Sequence, residues 1–155
     1  MTAIQLDRLT HFTEGDLVWE FANTATPGKC PRYGWCDGDC TPLRPGHLGD
    51  MHTRYIASAL RDRGDLVEIC VGQWKADPAQ PWQLGASAGC YDNKDRAPKV
   101  GIAAMPAGPS EVLRTFLKPQ DAEAVALTLR LLGHDQFADA MDAAAKYARR
   151  LEEEK

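Results

Sequence analysis

No apolar run in this 155-residue chain approaches the eighteen or so residues of a membrane span. Residues 1–29 also lack the basic start, apolar stretch and small-residue cleavage site of a secretory leader, so a cytoplasmic protein is expected, with no membrane partner. A strong charge of one sign is missing too: 18 basic residues stand against 22 acidic ones, a net charge of −4. That balance argues against a surface built to track a phosphate backbone, since such binding comes mainly from neutralising phosphates. His-Glu-x-x-His is absent, and so is the deaminase spelling His-x-Glu with Pro-Cys-x-x-Cys, so zinc chemistry of those kinds has no general base here. There is no internal repeat and no long linker. With 44% hydrophobic and 26% charged residues, the composition fits one globular domain over residues 1–155.

What is present is a cluster of thiols. Three of the five cysteines lie within eleven residues, Cys30-Pro-Arg-Tyr-Gly-Trp-Cys36-Asp-Gly-Asp-Cys40, and His47 and His52 follow. In a reducing compartment clustered cysteines hold metal more often than disulfides, and an odd count leaves one outside any intramolecular pairing. Soft thiolates with one imidazole are the ligand set of a tetrahedral structural zinc. Spacings of five and three residues let a tight loop wrap one ion, with Gly34 and Gly38 supplying turns. Residues 30–52 therefore read as a zinc knuckle with Cys30, Cys36, Cys40 and His52 as ligands. His52 is preferred to His47 because His47 sits in the loop Pro45-Gly-His-Leu-Gly49, whereas His52 opens the segment that re-enters the sheet.

The sheet is expected over residues 55–117. Leu17-Val-Trp-Glu-Phe21 has the branched and aromatic character of a short strand, and Tyr55 to Leu60 suits either a strand or a helix. Asp65 to Trp74 is the best strand, with Val67, Ile69 and Val71 on one face and Leu66, Glu68, Cys70 and Trp74 on a partly wet one. Trp82 to Gly89, Lys99 to Met105 and Val112 to Leu117 are the further strand candidates. From residue 119 to 152 the period changes to a helical one. Ala122, Val125, Ala126, Leu129 and Leu132 form a first stripe after Pro119, and Gly133 ends that helix. Phe137, Ala138, Met141, Ala144, Ala145, Ala148 and Leu151 form a second stripe, with Asp135 as its cap. The fold class is α+β: an antiparallel sheet of three to five strands, a zinc knuckle and a C-terminal helical hairpin.

These residues resemble an uncharacterised family of small actinobacterial and actinophage proteins. That family opens with Cys-Pro-x-Trp-Cys and later histidines, and closes with a Thr-Pro-x-x-Ala-x-x-Leu-Ala helix. Cys30-Pro31, Trp35-Cys36, Asp39-Cys40 and His52 match the opening in order, and Leu117 to Leu127 is similar to the closing helix. Arg32 to Gly34 lengthens the first cysteine spacing, Cys40 stands where the pattern has His, and Lys118 replaces Thr. The resemblance implies a zinc-bearing α+β domain and brings no known activity.

Other chemistry is poorly supported. Cys70 and Cys90 have no identifiable base beside them, and read as small packed side chains. Gly85-Ala-Ser-Ala-Gly89 spells a nucleophile elbow without the strand-turn-helix context that chemistry needs. Residues 29–63 hold six basic residues against four acidic ones, which reads as a mixed solvated surface. No catalysis is expected. The favoured function is a binding or adaptor protein acting through protein–protein contacts. The alternative is a nucleic-acid-binding or transcription-regulating module using Arg32, Arg44 and Arg54 around the knuckle. Trp35 is expected to pack over the zinc and shield its thiolates, the other reading being a partly exposed contact on a binding surface.

Overall fold

The computed structural model describes residues 18–38, 41–42, 49–60, 66–76, 97–105 and 113–154. Among the described residues six strands and two helices follow one another: β1 (Val18–Phe21), β2 (Thr41–Pro42), β3 (Gly49–Leu60), β4 (Leu66–Ala76), β5 (Lys99–Met105), β6 (Leu113–Leu117), α1 (Pro119–Leu131) and α2 (Asp135–Glu153). All the strand pairs are antiparallel, in the order β1-β3-β4-β5-β6. The two-residue β2 pairs with β3 as well, and does so at Asp50 and Met51, whereas β1 pairs with residues 57–60. Both short strands therefore lie on the one edge of β3 that β4 does not occupy. The expected α+β class is the observed one.

Side-chain alternation decides which face is covered. Val67, Ile69 and Val71 on β4 are fully buried, while Glu68 and Cys70 are only partly covered. On the next strand Val100, Ile102 and Ala104 share the buried face. The helices cover this face: α1 contributes Ala122, Ala126 and Leu129, and α2 contributes Phe137, Met141, Tyr147 and five alanines. Trp19 of β1 closes the core on one side, its ring 5.2 Å from that of Phe137.

Three details differ from the sequence reading. Strand β3 starts at Gly49, within the stretch assigned to the knuckle, so His52 is mid-strand. Leu132, placed in the first apolar stripe, follows the last residue of α1 and is 58% exposed. Asp135 is the first residue of α2, and His134 occupies the cap position without a side-chain capping bond. The strand expected over residues 82–89 lies outside the described residues.

Candidate metal centre

Strand β3 carries a bulge. Tyr55 pairs with Cys70 and Ala57 with Ile69, which leaves Ile56 as an extra residue. The insertion reverses which residues face inward. After it, Ala57 and Ala59 point into the core; before it, Arg54 opposes Val71 and His52 opposes Gln73, on that same face. The bulge thus turns an imidazole and a guanidinium towards the helix side of the sheet. His52 is fully buried and Arg54 is 4% exposed.

Residues 22–38 run along the edge of β3 that β4 does not occupy. Ala22 N–H donates to Ile56 O (2.9 Å) and Asp37 N–H to Thr53 O (3.0 Å), so the loop continues the hydrogen bonding that β1 begins. Asp37 also supplies its carboxylate: Oδ2 accepts from Tyr55 N–H at 2.6 Å. The loop is closed on itself by Gly28 N–H to Gly34 O (2.7 Å) and Cys30 N–H to Cys36 O (3.2 Å). Gly28 has to be glycine here, since a Cβ would sit 1.9 Å from Cys36 O. Gly38, at φ 98°, makes the left-handed turn that leads out of the loop.

These contacts bring Cys30, Cys36 and His52 together. Their ligand atoms lie within 4.8 Å of one another, all three residues are buried, and the group could hold a metal ion. Cys30 Sγ is 3.7 Å from His52 Nδ1, and Gly38 N–H donates to Cys36 Sγ at 3.4 Å. Two aromatic rings stand edge-on to the imidazole: Tyr33, with ring centroids 4.6 Å apart, and Trp35 at 6.4 Å. Trp35 is half-buried and packs against the core cluster.

Of the expected ligands Cys30, Cys36 and His52 are thus adjacent, while Cys40 and the alternative His47 lie outside the described residues, as do Arg44 and Cys90. Cys70 sits on the opposite face of the sheet from the cluster. Arg32 is exposed, its guanidinium 5.6 Å from the centroid of Tyr33. Arg54, assigned by the sequence to a binding surface, is instead turned inward. It donates to Trp35 O, Asn23 O and Thr26 O and pairs with Asp37 at 3.4 Å. Sequence reasoning missed this role, because three of the four acceptors are main-chain oxygens, which leave no mark on residue type. It also missed Tyr147. This phenol is 7% exposed, and burial pushes its pKa above the ordinary value against the opposing pull of Arg54 and Arg150. Comparison with known families, curated proteins and solved structures finds no match.

Proposed function

We propose that Cys30, Cys36, Cys40 and His52 hold a structural zinc ion, and that the domain works without catalysis, as a binding or adaptor protein whose partner is another protein. The observation that carries the metal role is burial: Cys36 and His52 are 0% exposed and Cys30 is 7% exposed. A catalytic zinc keeps a coordination position open to substrate, whereas a structural one is enclosed by its ligands. Thiolate and imidazole are the donors zinc favours, at about 2.3 and 2.0 Å, so a sulfur and a nitrogen on one tetrahedral ion stand about 3.5 Å apart. The 3.7 Å between Cys30 Sγ and His52 Nδ1 agrees with that edge. The N–H of Gly38 donates to Cys36 Sγ at 3.4 Å and so orients that sulfur from outside the ligand set.

Support for Cys40 as the fourth ligand comes from its chain neighbours. Thr41 pairs with Met51, which is adjacent to His52, and consecutive Cα atoms are about 3.8 Å apart. On its other side Gly38 already touches Cys36.

A protein partner is favoured over a nucleic acid because one arginine of the basic set is spent inside the fold, while α1 exposes Leu127 (62%), and Leu131 (81%) and Leu132 (58%) follow at its end. Apolar surface of this kind is buried usefully by a protein, not by a polyanion. Affinity capture from the native host at rising salt tests the reading. A partner held at high salt, and released by the double substitution Leu127→Gln and Leu131→Gln, is the expected result. Binding to nucleic acid that falls steeply with salt and survives the double substitution would overturn it.

A further inference from the structure

One guanidinium holds the metal loop from both sides. Arg54 is on β3, two residues from His52 and on the same face of the strand. Its Nη2 donates to Asn23 O (3.3 Å) and Thr26 O (2.5 Å), on the limb that precedes Cys30. Its Nη1 donates to Trp35 O (3.4 Å) and meets Asp37 Oδ1 (3.4 Å), the residues on either side of Cys36. Asp37 is tied in turn to β3 by its N–H to Thr53 O and by Tyr55 N–H to its carboxylate. None of these bonds involves a metal ligand atom.

We infer that Arg54 is a positioning residue that forms the metal loop in advance of the ion, and so sets the affinity of a site it does not touch. The inference rests on the metal reading above. A buried arginine is costly unless its charge and donors are matched, and here Asp37 and three carbonyls match the charge and both Nη groups, with Nε alone left unbonded. The bonds span residues 23 to 37, bracketing both loop cysteines, so they hold Cys30 and Cys36 facing His52 while the ion is absent. Ordering the loop beforehand removes an entropy cost that metal binding would otherwise carry. Lysine cannot replace it, because an ammonium on a flexible stem lacks the planar fork that reaches both limbs at once.

The test measures zinc affinity by chelator competition in the full-length protein, together with the visible spectrum of the cobalt-loaded form and amide exchange in the metal-free form. Arg54→Lys and Arg54→Met are each expected to weaken zinc binding by about 10- to 100-fold, the usual cost of losing a group that orients ligands from behind. The cobalt spectrum stays that of the wild type, because the ligands are unchanged. In the metal-free wild type the amides of Gly28, Cys30 and Asp37 are slow to exchange, and in the Arg54 variants they are fast. Arg130→Met is the control: it removes an exposed arginine paired with Asp139 and Asp142 on the helices, and leaves zinc affinity as it was.

Should Arg54→Met fail to fold, Asp37→Asn carries the test, since it removes the paired charge but keeps the loop's N–H bond to Thr53. Unchanged affinity in the Arg54 variants, or rapid exchange of these amides in the metal-free wild type, overturns the inference and leaves the zinc reading intact. A wild-type protein that binds neither zinc nor cobalt overturns both.

Discussion

Cys36→Ser is expected to abolish stoichiometric metal binding and to lower the melting temperature sharply. Cys36 is fully buried, it accepts Gly38 N–H at its sulfur, and its main chain closes the loop through Cys30 N–H and against Gly28. A serine oxygen is a harder and poorer zinc ligand and sits on a shorter bond, so the remaining groups cannot close a tetrahedron around the ion. Structural zinc contributes about 10 to 16 kcal/mol of apparent binding free energy in small zinc-finger peptides, against about 5 to 15 kcal/mol of total stability in an ordinary domain. Here the sheet and helices have a core of their own, so the loss falls first on residues 22–38 and on the edge of β3 they cover. His52→Ala should match it, and also leaves a cavity beneath Tyr33 and Trp35. His47→Ala should keep its metal. Metal analysis and thermal melting of the three variants check this; zinc retained by Cys36→Ser, or lost by His47→Ala alone, would contradict the ligand assignment.

A chain ending at Gly133 is expected to be unfolded or aggregated. Helix α2 supplies Phe137, Met141 and Tyr147 to the core, and buries Ala138, Ala140, Ala144, Ala145 and Ala148 with them. Each large side chain buried is worth about 1.5 to 3 kcal/mol, before counting the apolar surface of β4 and β5 that its removal leaves in water. Three such side chains and five alanines together rival the whole stability of a domain this size. The truncation also removes Tyr147, the phenol on which the charges of Arg54 and Asp37 act. Circular dichroism and thermal melting decide: loss of the cooperative transition is the expected outcome, and a soluble truncation melting near the parent's temperature would make the hairpin an independent arm.

The parts legible in the sequence are those where one period runs undisturbed. Val67, Ile69 and Val71 alternate cleanly and mark β4; Lys99 to Met105 coincides with β5; and Phe137 to Ala148 keeps the helical repeat that α2 follows. Strand β3 hid its true length for two physical reasons. Its bulge at Ile56 shifts the alternation by one residue halfway along, and its first half buries His52 and Arg54 where a strand pattern leads one to look for apolar residues. The thiols were visible because cysteine, spaced closely between glycine and proline, is an uncommon combination with few uses. What organises them was not visible. Arg54 acts on main-chain oxygens at residues 23, 26 and 35, and Asp37 on an N–H at residue 55, partners that only the fold brings near.

X-ray absorption at the zinc edge of freshly purified protein reads the ligand atoms themselves. About one zinc per chain is expected, with a shell of three sulfurs at about 2.3 Å and one nitrogen at about 2.0 Å. A protein with no stoichiometric metal, or a zinc shell made only of nitrogen and oxygen, would contradict it.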